Sequence, residues 1–335
     1  MSSLLSILMP VKNTAQYLPA CLDSILAQSI PNWELIAIND HSTDSSKNIL
    51  LNYAQHDQRI KVFDNTEKGI IAALRLAYQK SEGTLLTRMD SDDLMSSNKL
   101  EALQQALLAK GERHIAIGQV QYFADKGVGG GYQRYENWLN GLTSTGTNYQ
   151  ERYKECAIPS PCWMVYREDL EHCDAFHPNR YPEDYDLFFR FYQQGLTIIP
   201  STKVLHYWRD YPERTSRNDP NYADNRFLSM KMAYFLELDY LKDRPLAVWG
   251  AGKKGKWIAQ FLTKKNISFH WICNNPNKIG HDIYGNILQG EDFLEQLNDP
   301  HYIIAIANVE AQAEIYKRLA GAEQLELGKD FFFFC

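Results

Sequence analysis

The sequence predicts an α/β fold built in two successive segments, and three observations carry the prediction. Short apolar runs alternate with stretches of helical spacing between Leu4 and Tyr122, the same rhythm restarts at Leu246, and a linker at Lys242–Pro245 separates the two. Strands alternating with helices imply βαβ units and a mostly parallel sheet. At 335 residues the chain is about twice a typical domain of roughly 150. Two domains, 1–243 and 244–335, are therefore expected.

Leu4–Met9 is an apolar run that stops at Pro10, a strand, and Tyr17–Gln28 then spaces Leu18, Cys21, Leu22, Ile25 and Leu26 as one helical face. The alternation continues with strands at Glu34–Asn39, Ile60–Asp64, Thr84–Met89 and Ile115–Tyr122, and helices at Ser45–Gln55, Gly69–Lys80 and Asn98–Lys110. Ala124–Gln150, rich in Gly, Thr, Ser and Asn, reads as a long connection, either a lid or a surface excursion. A strand at Cys162–Tyr166, a helix at Tyr185–Gln194, an apolar piece at Leu196–Ile199 and one long helix at Tyr222–Leu241 complete the first segment. The second carries strands at Leu246–Trp249, Phe269–Cys273 and Tyr302–Ala307, with helices up to Lys265, near Glu291–Leu297 and at Glu310–Leu319.

Apolar residues make up 44% and charged residues 23%, close to the globular average of about 45–50% and 25%. Disordered, fibrous and coiled-coil classes are excluded. Net charge is −6 without a basic domain, which argues against nucleic acid as a partner. The excess acidity lies in the first segment: 25 basic and 31 acidic residues precede Arg244, and 10 of each follow from there. Cys21, Cys156, Cys162, Cys173, Cys273 and Cys335 form no CxxC pair and read as reduced, mostly buried thiols, which fits the cytoplasm. No apolar run reaches the ~18 residues of a membrane-spanning helix. Leu4–Met9 has no basic segment before it and is not a signal peptide.

Arg88-Met89-Asp90-Ser91-Asp92-Asp93 closes the fourth strand, at the sheet edge where open α/β sheets bind ligands. Three carboxylates so close repel one another unless a cation compensates, and oxygen ligands suit Mg²⁺ or Mn²⁺. A helix cap by Asp92 or Asp93 is the alternative. The first strand also ends in a polar turn, Pro10-Val11-Lys12-Asn13, and the second in Asn39-Asp40-His41-Ser42-Thr43-Asp44.

Together with Glu183-Asp184-Tyr185-Asp186, these motifs resemble family 2 of the glycosyltransferases and its GT-A fold over residues 4–240. The resemblance implies a nucleotide pocket at Pro10, Val11 and Asn13, with Asp40 accepting from the uracil ring N–H and so rejecting cytosine. It implies that Arg88, Asp90 and Ser91 meet the donor, that Asp92 with Asp90 ligates the metal, and that Asp184 is the base of an inverting transfer, with Glu183 as its rival. A plain helix N-terminus, where acids are favoured, is the alternative for Glu183 and Asp184. Lys12 stands where tyrosine is commoner, and His41 where glycine is. Arg209, Arg214 and Arg217 are candidates for the donor diphosphate through a planar fork, or else belong to a solvated loop. His206 reads as structural before metal-binding, and Trp208 as either a sugar platform or a core residue. The implied substrates are a UDP-sugar, with hexosyl or N-acetylhexosaminyl transfer, and a glycan or lipid-linked acceptor, the latter drawing the enzyme to the inner membrane face as a peripheral protein.

In the second segment Gly250-Ala251-Gly252-Lys253-Lys254-Gly255 satisfies GxGxxG between a strand and a helix. The segment resembles Rossmann-like accessory domains of sugar-modifying proteins, in which Gly250, Gly252 and Gly255 would hold a nucleotide or anion, or else only pack tightly. The acid that NAD needs after the second strand is replaced by Cys273-Asn274-Asn275. An NAD-dependent oxidoreductase and a nucleotide-sugar binding module remain the rivals. Phe331-Phe332-Phe333-Phe334 must be covered, inside this chain or by self-association as a homo-oligomer.

Overall fold

The computed structural model describes residues 3–125, 127–212, 214 and 226–335. The chain divides into two units, one of residues 1–148 and 157–217, the other of residues 149–156 and 218–335.

The first unit holds β1 (Leu5–Val11), α1 (Leu18–Leu26), β2 (Trp33–Asn39), α2 (Ser46–His56), β3 (Ile60–Asp64), α3 (Ile70–Lys80), β4 (Leu85–Arg88), β5 (Leu94–Met95), α4 (Lys99–Lys110), β6 (His114–Ile117), β7 (Gln119–Phe123), α5 (Gly130–Thr145), β8 (Trp163–Tyr166), α6 (Arg167–His172), α7 (Glu183–Gln193), β9 (Thr197–Ile199) and β10 (Val204–Arg209). Seven strands form one mixed sheet in the order β3-β2-β1-β4-β8-β6-β9, and β5-β10-β7 form a second. β1 to β4 run parallel, and β8 is antiparallel to both β4 and β6. The chain order reverses between β1 and β4, the switch point at which such sheets bind ligands.

Three sequence readings are corrected in the first unit. The first strand does not stop at Pro10 but continues to Val11. Proline lacks an amide hydrogen, yet the pairing of β1 with β4 reaches only Leu8, so Pro10 costs no ladder bond on that side. The run Ile115–Tyr122 is two strands in different sheets, broken at Gly118, where a Cβ would come within 2.7 Å of Leu205. The long connection is largely the helix α5: Glu136 and Asn140 side chains bond the backbone of Tyr122 and Val120 and so cover the open edge of β7. Gly130 and Gly131 open the helix, Gly141 lies within it, and Leu139 and Thr143 make its buried face. β5, α6 and β10 also had no separate signal, being short or hidden behind polar residues.

The second unit contains α8 (Arg226–Tyr234), β11 (Leu246–Trp249), α9 (Lys253–Lys264), β12 (His270–Ile272), β13 (Asp282–Ile283), β14 (Asn286–Gln289), β15 (His301–Ile304), α10 (Val309–Tyr316) and β16 (Phe331–Phe333). The expected long helix is α8 followed by a wide turn at Phe235–Asp239; residues 222–225 of that expectation lie outside the described residues. The sheet order is β13-β14-β12-β11-β15-β16, parallel but for β13. The phenylalanine run is covered within the unit: β16 pairs with β15, and Phe334 stacks on Tyr153 at 4.9 Å. The span expected to be a helix near Glu291–Leu297 is a 3₁₀ turn at Glu291–Gln296.

Candidate active site

β1, β2 and β4 end side by side, and the turns that follow them gather the motif residues. Asp40 N–H donates to Val11 O at 2.8 Å, which locks the second turn to the first. Asn13 adopts a left-handed φ of +52°, and its Oδ1 then accepts from Thr43 N at 2.8 Å. His41 is also left-handed, at φ +55°. Glycine enters that region freely, which explains why glycine suits this position. The Asp40 carboxylate is buried, with Oδ1 accepting from Asn65 Nδ2 at 2.8 Å and Gly69 N at 3.0 Å. Gly69 opens α3, so Asp40 also serves as its N-terminal anion.

The acidic turn splits three ways. Asp90 Oδ1 accepts from Arg88 Nε at 3.0 Å, and the same guanidinium reaches Glu183 Oε1 at 2.8 Å through Nη1. Asp92 Oδ2 accepts from the Tyr211 hydroxyl at 2.8 Å. Asp93 turns inward: Oδ1 accepts from Arg209 N at 2.8 Å, and Oδ2 faces His206 Nε2 at 3.0 Å. Behind it Lys99 Nζ lies 3.1 Å from His206 Nδ1 and donates to Pro161 O. Burial, then the Lys99 charge, pushes the His206 pKa well below its usual value, so the ring is neutral. With Lys99 donating to Nδ1, the ring proton belongs on Nε2, donated to Asp93. Burial pushes Asp92 up to about 7, helped by the Asp93 and Asp90 charges.

Ser91 is buried and accepts from Thr14 Oγ1 at 3.0 Å, a link within the wall of the site. Arg209 Nε donates to Asp92 O at 2.8 Å, with its guanidinium 4.5 Å from the Phe123 ring centre. Arg214 lies over Trp208 and Tyr122, at 5.5 and 5.6 Å. Arg217, with Thr215 and Ser216, lies outside the described residues.

Asp184 stands in the first turn of α7 beside a small hollow lined by Arg88, Ser160, Trp163, Phe176 and Phe188. Burial, then the neighbouring Glu183 charge, pushes its carboxyl up to about 7 against the pull of Arg88. A carboxylate poised there is suited to take a proton near neutral pH. Glu183 is bound by Arg88, which leaves Asp184 as the acid turned to the hollow.

Among the described residues, no three His, Cys, Asp or Glu side chains converge as a ready metal cage. Of the three carboxylates in the acidic turn, Asp93 is engaged by the His206 ring and the Arg209 N–H. Asp90 and Asp92 fit a hard divalent cation: they are oxygen donors, and desolvation with the Asp93 and Asp90 charges raises the Asp92 pKa against the pull of Arg214.

The comparisons with known proteins decide the family. Residues 6–174 match the family model described as Glycosyl transferase family 2. The chain belongs to glycosyl transferase family 2. TuaG of Bacillus subtilis, provisionally assigned to teichuronic acid biosynthesis, is 35% identical over 208 residues, covering 62% of this chain and 79% of TuaG. The glycosyltransferase GlyG of Streptococcus pneumoniae is 35% identical over 119 residues, 35% of this chain and 39% of GlyG, so the match spans about two-fifths of that relative. Among solved structures, S. aureus TarS in complex with UDP-GlcNAc superposes with a TM-score of 0.55 at 17% identity, over 77% of this chain and 71% of that one. The mixed sheet of the first unit is the expected GT-A fold.

Sequence reasoning missed the family member's supporting residues: Asn65 and Gly69 on Asp40, Tyr211 on Asp92, and Lys99 on His206. Tyr211 lay just beyond a flagged segment. Lys99 carried no signal, because a lysine in the first turn of a polar-faced helix reads as solvated.

In the second unit the glycine turn is chiefly a packing device. A Cβ on Gly255 would come 1.9 Å from Gly250 O, and one on Gly250, at φ +125°, 2.8 Å from Ala305 O. Gly252 has φ −80° and open space around it. Trp271 Nε1 donates to Gly250 O at 3.0 Å and Lys278 Nζ to Ala251 O at 3.1 Å, so side chains of the unit itself close the turn.

Proposed function

We propose that the first unit is an inverting glycosyltransferase that moves a hexosyl or N-acetylhexosaminyl group from a UDP-sugar to a hydroxyl of a growing polysaccharide or other glycan, lipid-linked ones included. The observation that carries the reading is the buried bridge Asp90–Arg88–Glu183, which ties the acidic turn to the helix bearing Asp184. The acceptor oxygen attacks the sugar C1 while its proton passes to Asp184 Oδ. The bond from C1 to the phosphate oxygen breaks on the opposite face, and UDP leaves with that electron pair. One displacement inverts C1. Asp90 and Asp92 would hold Mg²⁺ or Mn²⁺, which supplies neutralisation of the charge on the departing diphosphate. Arg214, near Asp92 and Asp93, adds a cation on the same side.

UDP is favoured as the donor nucleotide by the buried Asp40 acceptor and by the UDP-GlcNAc complex of TarS. The polysaccharide acceptor rests on the assignment of TuaG. Six free cysteines fit a cytoplasmic site of action, and no helix among the described residues is long and apolar enough to cross a membrane. Residues 244–335 act as an accessory domain. UDP release from a panel of UDP-sugars with glycan acceptors tests the reading: Asp184→Asn is expected to lose about 10²–10⁴ in turnover, and unchanged turnover overturns it.

A further inference from the structure

The two oxygens of Asp40 are not equivalent. Oδ1 accepts from both Asn65 Nδ2 and Gly69 N, at 2.8 and 3.0 Å, whereas among the described residues Oδ2 shares only the Gly69 N–H, at 3.1 Å. A carboxylate oxygen has about two acceptor sites, so Oδ2 is the atom with acceptor capacity left. Lys12 Nζ stands 3.6 Å from that same oxygen. That separation makes an ion pair but exceeds a hydrogen bond, so the ammonium hydrogens are not committed to Asp40. The Lys12 side chain is 49% exposed and the Asp40 side chain 4%. A buried acceptor and a half-open donor thus sit next to each other where the turns after β1 and β2 meet.

We propose that Lys12 is a specificity-determining residue of the donor site, forming with Asp40 an acceptor–donor pair that reads a ring N–H and the carbonyl beside it. The proposal rests on the reading of Asp40 as the acceptor for the uracil N–H. Uracil presents N3–H flanked by two carbonyl oxygens; Asp40 Oδ2 takes the hydrogen and Lys12 donates to one of the carbonyls. Cytosine and adenine turn a bare ring nitrogen toward Asp40, acceptor against acceptor, and a site built for hydrogen bonds rejects a base that leaves its buried groups unpaired. Guanine shares the N–H and carbonyl pattern, so GDP is the competitor that any test must include. Lysine delivers this donor as a point charge on a flexible stem, and arginine keeps the positive charge and the N–H donors though in a planar fork.

The test is calorimetric titration of the full chain with Mn²⁺ and UDP, CDP, GDP, 3-methyl-UDP, 2-thio-UDP and 4-thio-UDP, with circular dichroism to establish that each variant folds. In the wild type one of the two thio analogues binds about tenfold more weakly than UDP, as befits a charge-assisted bond weakened at a sulfur acceptor. Lys12→Met is expected to bind UDP about tenfold more weakly and to lose the difference between UDP and that thio analogue, and Lys12→Arg to restore both. The proposal is overturned if Lys12→Met binds UDP as the wild type does, or if the thio discrimination survives the substitution. Failure of the donor reading itself has another signature: the wild type then fails to bind UDP, or binds 3-methyl-UDP as tightly as UDP.

Discussion

Arg88 Nη1 lies 2.8 Å from Glu183 Oε1, a buried ion pair between residues 95 positions apart that joins the end of β4 to the start of α7. The same guanidinium holds Asp90 at 3.0 Å, so one side chain sets the distance between the acidic turn and the helix bearing Asp184. Removing one partner of a buried pair strands the other charge and costs about 3–5 kcal/mol. Arg88→Met is expected to lose that much in urea unfolding, and Arg88→Lys to keep part of the stability but not the two-pronged geometry. An Arg88→Met variant with wild-type stability and turnover refutes the bridging role.

Asp184 makes the pH dependence specific. Its carboxyl is pushed from the ordinary 3.8 up to about 7, by burial first and by Glu183 next, against Arg88. A base acts only when deprotonated, so with Asp184 as the proposed base kcat/KM is expected to fall tenfold per pH unit below about 7. The folded pKa lies above the unfolded one, so the contribution to stability is full below about pH 4 and gone once pH has risen through about 7. Asp184→Asn, neutral at every pH, is expected to show a higher Tm than the wild type at pH 8, the gap shrinking toward pH 4. A gap that widens on acidification contradicts the assignment.

The sequence made visible what is local. The alternation of β1 to α4 follows from apolar period, and Asp40, Asp90, Asp92 and Asp184 stand in contiguous motifs at element ends. What it hid depends on distant partners. α5 is hidden in a Gly- and Thr-rich stretch because its stability comes from packing on β7, through Glu136 and Asn140, and not from helix propensity. The inward turn of Asp93 depends on His206, 113 positions later, and on Lys99 behind it. No local pattern distinguishes Asp93 from Asp92, although one is buried on a histidine and the other faces Tyr211.

The glycine turn of the second unit separates packing from ligand binding. Gly255→Ala puts a methyl group 1.9 Å from Gly250 O, a backbone atom that cannot swing away. Gly252→Ala meets nothing within 4 Å and keeps an ordinary φ of −80°. Gly255→Ala is expected to destabilise by about 1–3 kcal/mol, as overpacking does, and Gly252→Ala to stay within about 0.5 kcal/mol, both read by denaturant unfolding. Equal effects at the two positions reject a packing role for the turn.

Metal dependence can be separated from fold by one isosteric change. Asp90, Asp92 and Asp93 crowd negative charge at the end of β4, and the Arg88 and Arg214 guanidinium groups offset part of it. Asp92→Asn removes one charge while its amide oxygen still accepts from Tyr211. In the absence of metal this variant is expected to melt above the wild type, because like charges no longer repel across the turn. Mn²⁺ stabilises a native state it binds by RT ln(1 + [Mn²⁺]/Kd), so the wild type is expected to gain in Tm as Mn²⁺ is added and to lose the gain in EDTA. Asp92→Asn is expected to lose that gain together with UDP-sugar turnover. If its Mn²⁺ shift equals that of the wild type, Asp92 is not a ligand, and the cation belongs elsewhere on the turn.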